Sequence, residues 1–143
     1  MSHKILALKD RPEYALELKQ LIEPHGYEVL AVRTIEEALA RLQVETVNMV
    51  IVAIHLQDGN VFDFIRAVKT DPNPLISKLP LICLNLDQRL HAKYLNESLE
   101  ISARVLGASR FITMEPYDAK ALWVQIKEML PIDPSPVGIL SLQ

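Results

Sequence analysis

The sequence predicts an α/β protein, a doubly wound parallel sheet of five strands with helices on both faces, and three observations predict it. Short apolar runs alternate five times with stretches whose apolar residues recur at helical spacing. Residues 47–60, VNMVIVAIHLQDGN, run apolar without the alternation of a half-exposed strand and close at a Gly-Asn turn. That is the pattern of a strand buried on both faces. At 143 residues the chain is long enough for one domain that buries roughly two-thirds of its unfolded surface.

Taken in order, residues 3–8 (HKILAL) form the first strand. A helix opens at Arg11-Pro12, with Pro at a favoured first-turn position and Asp10 as its expected N-cap. Tyr14, Leu18, Leu21 and Ile22 share one face of it, and Pro24 and Gly26 end it. Residues 27–32 (YEVLAV) form strand two. Thr34 and Glu37 then make a capping box before a helix with the stripe Ile35, Ala38, Leu39 and Leu42. Strand three ends near Ala53, and Val61, Phe64, Ile65 and Val68 mark helix three. Residues 71–78 hold two prolines and read as a loop; residues 79–86 (LPLICLNL) are strand four. A long helical pattern covers 87–106, with Leu90, Tyr94, Leu99, Ile101, Val105 and Leu106 turned inward and Gly107 as C-terminal cap. Residues 110–114 form strand five, and 118–130 the last helix, carrying Leu122, Trp123, Ile126, Met129 and Leu130. The domain spans 1–130. Residues 131–143, with Pro131, Pro134 and Pro136, read as a Pro-rich C-terminal tail or linker. For five such strands the flavodoxin-like order 2-1-3-4-5 is expected.

Composition narrows the function. Lys and Arg number 15 against 18 Asp and Glu, a net charge of −3 with no basic block, so nothing favours direct contact with nucleic acid. The single Cys83 lies inside an apolar run and has no partner for an internal disulfide, which points to a cytoplasmic protein. No leader pattern and no apolar run approaching the ~18 residues of a membrane span is present. No Gly-rich cradle follows strand one, which argues against a nucleotide or flavin cofactor, and Gly26, Gly59, Gly107 and Gly138 fit turns or caps.

The segments KILALKDRP, MVIVAIHLQDGNVFDFIRAVK, LPLICLN and GASRFITMEPYDAKAL together resemble the receiver domain of two-component response regulators, over residues 4–130. The resemblance implies an aspartate at the end of strand three that becomes an acyl phosphate. It further implies two adjacent acidic residues after strand one that hold a divalent cation, a Ser or Thr ending strand four, and a Lys before the proline after strand five. Here those positions read Ala53, Lys9-Asp10, Asn85 and Glu115, the last with one extra residue in the alignment. A methyl group cannot be phosphorylated, and an ammonium repels Mg²⁺, which prefers oxygen ligands. With only Asp10 retained, the chain reads as a degenerate, pseudo-receiver type, with no catalytic residue, no metal and no cofactor.

Other residues are candidates as well. Lys9, Asp10, Asn85 and Glu115 converge at the strand ends, either as a vestigial site with a Lys9–Glu115 or Lys9–Asp10 ion pair or as ordinary solvated charges. Asp58 and Asp63 offer substitute carboxylates, but Asp58 belongs to a Gln-Asp-Gly turn. His55 with Asp58 and Gly59 faintly resembles the His loop of cobalamin-binding domains, yet lacks its preceding Asp. Cys83 reads as core, and His25 and His91 as surface. Phe111 takes the family's switch-aromatic position. The lengthened fourth helix, with Tyr94 or Trp123 exposed, suggests an interface or simply a helix that covers more core.

The expected function is therefore a phosphorylation-independent signalling domain, not an enzyme, acting by protein–protein contact through its fourth helix, fifth strand and fifth helix. Its expected partners are signalling proteins, a fused output domain or a second copy. The alternative is a small-molecule sensor that uses the vacated strand-end pocket, with Asn85, Lys9 and His55 as specificity groups.

Overall fold

Met49–Ala53 is buried along its whole length, as its uninterrupted apolar run requires, and this strand, β3, is the centre of the sheet. β1 (His3–Leu8) and β4 (Leu81–Asn85) flank it, with β2 (Tyr27–Val32) and β5 (Arg110–Thr113) at the edges. Every pairing is parallel, in the expected order β2-β1-β3-β4-β5. The computed structural model describes residues 3–9, 11–87, 89 and 92–130. Asp10, Leu90, His91 and the 131–143 tail, each given a role above, lie outside the described residues.

Because all five strands run one way, their carboxyl ends emerge on one side. Leu8 pairs with Val52, Ala53 with Leu84, and Asn85 with Thr113. Lys9, Ala53 and Asn85 therefore come out beside one another. One face of the sheet is covered by α1 (Pro12–Ile22) and α6 (Ala119–Met129), through Leu18, Ile22, Leu122 and Ile126. The other is covered by α2 (Ile35–Val44), α3 (Val61–Lys69) and α5 (Lys93–Leu106), through Ala38, Leu42, Phe64, Ile65, Val68 and Ala103.

Several helix boundaries differ from the sequence reading for local reasons. The N-cap of α1 is Arg11 rather than Asp10, and its side chain makes no cap hydrogen bond; Pro12 at the first position lacks an N–H to satisfy. Thr34 does cap α2 by accepting from the Glu37 N–H at 3.1 Å. Glu37 reaches back to the Arg33 N–H rather than to that of Thr34. Residues 71–78 are not all loop: Asn73 accepts from the Leu75 N–H and starts a single turn, α4 (Pro74–Ser77).

The largest correction concerns α5. It begins at Lys93, not at residue 87, and runs for 14 residues. Its inward face is also different, since Tyr94, Ile101 and Val105 are 74, 63 and 79% exposed. Ala103, wholly buried, meets the core in their place, and Leu106 packs against it as expected. Gly107 ends the helix at φ +116, and a Cβ there would stand 2.7 Å from Lys69 Cγ, so both backbone and space require glycine.

Truncating the centre of β3 tests this packing. Ile51→Ala is expected to lower unfolding stability by about 2–5 kcal/mol, read from the urea midpoint, because Ile51 has no exposed surface and two covered sheet faces cannot collapse onto the void.

Candidate functional site at the strand ends

The residue that follows β1 is a lysine with 2% of its surface exposed. Its N–H donates to the Val32 carbonyl at 3.2 Å, which prolongs the sheet by one residue and turns the side chain inward. There the Lys9 ammonium donates to the Tyr117 hydroxyl at 3.0 Å and lies 4.4 Å from the centre of that ring. Tyr117 stacks on Tyr14 of α1 with centroids 4.3 Å apart and planes inclined by 16°. The Arg11 guanidinium rests over Tyr14 at 5.7 Å. Arg11, Tyr14, Tyr117 and Lys9 thus form a continuous series of cation–ring and ring–ring contacts. It joins the end of β1, the start of α1 and the loop before α6.

Burial sets the electrostatics of this series. Desolvation lowers the Lys9 pKa from its ordinary value to about 7, and the negative charge of Glu17 offsets only part of that. Tyr117 moves upward, first because burial penalises phenolate and then because Glu17 is near. Of the alternatives open for Lys9, the Lys9–Glu115 ion pair does not form. Glu115 is exposed, and the partner of Lys9 is a neutral hydroxyl. Asp10, the other partner considered, lies outside the described residues.

Ala53 closes β3 at 2% exposure and forms part of the floor of a cavity of about 520 Å³. Its walls include Arg11, Tyr14, Tyr117, His55, Asp87 and Arg89. Asp87 accepts from the Arg89 guanidinium at 2.8 and 3.1 Å and from the Arg89 N–H at 3.0 Å. The guanidinium bonds hold the Asp87 carboxyl down to about 2. His55 Nε2 lies 3.3 Å from Arg89 and 3.6 Å from Asp87.

Asn85 does not point its amide into this cavity. Its side chain is wholly buried, donates to Asn96 Oδ1 of α5 at 2.9 Å and accepts from the Asp87 N–H at 3.2 Å. The Thr113 hydroxyl donates to the same Asn96 oxygen at 2.7 Å. The end of β4, the end of β5 and the first turn of α5 are thereby tied together.

The remaining candidates separate. Asp58 accepts from the Ile35 and Glu36 N–H groups at 2.8 and 3.2 Å, so it caps α2 from a neighbouring loop. Asp63 pairs with Arg66 on the surface. Cys83 is core, its thiol pushed up to about 12 by burial. Phe111 packs half-buried against the core on the α5 side. Trp123 is half-buried rather than exposed: it meets Tyr27 edge-on at 4.9 Å and stacks with His25 at 5.3 Å, on the α1 side of the sheet. The Asp87–Arg89 pair and the Tyr14–Tyr117 stack were not singled out from sequence. The Asp-x-Arg spacing was a visible signal for the first, whereas nothing local marks the second. The divalent cation implied by the resemblance does not fit the described residues. A buried ammonium takes one acidic position, and no group of three or more His, Cys, Asp or Glu that could hold a metal exists among them. Among the described residues no helix is long and apolar enough to cross a membrane.

Comparison with known proteins gives the geometry a context. No family model matches the chain. The chemotaxis protein CheY4 of Vibrio cholerae superposes with a TM-score of 0.76 at 19% identity, covering 91% of this chain and 100% of that one. The signal receiver domain of a signal transduction histidine kinase from Syntrophus aciditrophicus superposes at 0.72 and 25% identity, covering 90% of each. A curated relative, the transcriptional regulatory protein CrdR of Helicobacter pylori, is 28% identical over 134 residues, 94% of this chain. The chain is a receiver-like domain. It spans 58% of the length of that curated relative.

Burial of Lys9 makes the stability of the receiver-like domain depend on pH. Between about pH 7 and its ordinary pKa of 10.5 the folded lysine holds fewer protons than the unfolded one, so stability rises with pH there. Cys83, whose thiol burial also holds protonated, opposes this as the unfolded thiol ionises near about pH 8.5, and Tyr117 as the unfolded tyrosine ionises near about pH 10. Urea unfolding from about pH 6.5 to about pH 9 is expected to show the rise in the wild type and its loss in Lys9→Met.

Proposed function

We propose that this receiver-like domain signals through protein contacts and is not itself phosphorylated, acting as a pseudo-receiver rather than an enzyme. The observation that carries the reading is the end of β3, where Ala53 offers a methyl group and the neighbouring strand offers the buried Lys9 ammonium. Two more features support it. Asn85 is committed to Asn96 and to the Asp87 N–H, so the position that would hydrogen-bond a phosphoryl group is already satisfied within the protein. Glu115 supplies a negative charge where the resemblance calls for a lysine.

Contact through α5, β5 and α6 is the form of signalling we favour. Tyr94, Leu95, Ile101 and Val105 are exposed on α5, and Val124 is exposed on α6. Tyr94, Ile101 and Val105 fall at i, i+7 and i+11, one stripe of the helix, and it faces solvent. The Asn85–Asn96–Thr113 bonds hold the start of α5 at a fixed position relative to the strand ends. The partner is a signalling protein, a fused output domain or a second copy of this chain, with self-association as the first case to examine.

Two measurements test the reading. Intact-mass analysis after incubation with Mg²⁺ and acetyl phosphate is expected to show no gain in the wild type; a stoichiometric gain of one phosphoryl group overturns the proposal. Sedimentation at high micromolar concentration is expected to show a dimer that Val105→Glu dissociates, while the exposed substitution changes stability by less than about 0.5 kcal/mol. A wild-type monomer removes the self-association form of the proposal.

A further inference from the structure

We infer that the strand-end cavity is a binding site for a small apolar monocarboxylate, of the size of an arylacetic or branched-chain acid. Its volume of about 520 Å³ lies within the range of ligand pockets, roughly 300–1,000 Å³. Ala53, Leu86, Met114 and Pro116 make its apolar surface, and the small side chain of Ala53 opens the floor.

The charges around that surface are not matched. Arg89 is neutralised by Asp87 through hydrogen bonds from its Nε and a second guanidinium nitrogen. Arg11 has no carboxylate within ion-pair distance among the described residues, and its guanidinium meets only the face of Tyr14. A guanidinium presents two parallel N–H donors that match a carboxylate, so a ligand carboxylate supplies the pairing that the chain does not. A second negative group on the ligand, as on a phosphate dianion or a dicarboxylate, meets no further unpaired arginine or lysine among the lining residues, since Arg89 is already bonded to Asp87. Three groups with displaced proton affinities, Lys9, Asp87 and Tyr117, also lie at this end of the sheet, a clustering common at functional sites. One anion, one apolar body and no second charge define the ligand.

The site is independent of the contact face on α5, and its test uses no phosphoryl donor, so it stands or falls apart from the function proposed above. The full chain, labelled with ¹⁵N, is titrated with phenylacetate, with the neutral phenylacetamide and with inorganic phosphate. Phenylacetate is expected to shift the amide signals of Arg11, Tyr14, Ala53 and Tyr117 with a dissociation constant of about 1 mM or tighter. Phenylacetamide and phosphate are expected to bind at least about tenfold more weakly, and Arg11→Gln to weaken phenylacetate by a similar factor. Arg11 is exposed and makes no cap bond, so its replacement leaves the fold intact. The inference is overturned if phenylacetate shifts none of these signals, if it binds Arg11→Gln undiminished, or if phosphate or the amide binds as tightly.

Discussion

A lysine ammonium held out of water at the end of a central strand is the constraint around which this end of the molecule is arranged. Removing such a charge from water costs several kcal/mol unless partners replace its hydration. Lys9 is given a phenol oxygen and the face of the same ring. Both come from Tyr117, so the loop before α6 must come in over β1 to supply them. Tyr117 is then fixed by stacking on Tyr14, which draws in the first turn of α1. The partner is neutral, which is why burial dominates and the lysine proton is held weakly. A carboxylate in the same place would have raised the pKa instead. Among the described residues an ammonium thus stands where the resemblance implies a carboxylate.

The same mouth is held on its other side by uncharged groups. Asn85 and Asn96 form an amide–amide bond whose acceptor oxygen also takes the Thr113 hydroxyl. The Asn85 amide is wholly buried, so breaking its bond would leave a polar atom unsatisfied. Among the described residues every buried side-chain nitrogen and oxygen has a partner. One end of the sheet thus carries two clasps of different chemistry. A cation–ring series ties β1 to α1 and the loop before α6, and an amide–hydroxyl group ties β4 and β5 to α5. Both reach elements that border the exposed face of α5 and α6.

The sheet was legible in the sequence because its signal is dense. β3 and β4 are apolar at nearly every position, and only a strand covered on both faces tolerates that. Helix faces were legible where the stripe met a broad core, as at Phe64, Ile65 and Val68 of α3. The reading failed at α5 because periodicity alone gives a face and not its direction. Tyr94, Ile101 and Val105 form a genuine stripe, but Ala103, with the smallest side chain available, marks where the helix approaches the core. Residues 87–92 have helical composition, and Asp87 accepts from the Arg89 N–H as an N-cap does, but α5 itself begins only at Lys93. At the site, the sequence placed Lys9, Ala53 and Asn85 together because parallel strands align their ends. It did not place Tyr14 and Tyr117, separated by about a hundred positions and joined only by packing.

That failure bears on how the site should be understood. Read one position at a time, Ala53, Lys9, Asn85 and Glu115 are losses from a receiver pattern. Read with their partners, two of the four are gains. Lys9 has a hydroxyl and a ring arranged for it, and Asn85 has an amide on α5 and a backbone N–H. A site left without function tends toward solvated, unpaired substitutions, since exposed surface tolerates most changes within about 0.5 kcal/mol. Burying a lysine and an asparagine at 2 and 0% exposure is not such a change, because each requires companions to be placed elsewhere in the chain. The replacements at this mouth are structural commitments, and they leave beside them a cavity whose one unmatched charge belongs to Arg11 among the described residues.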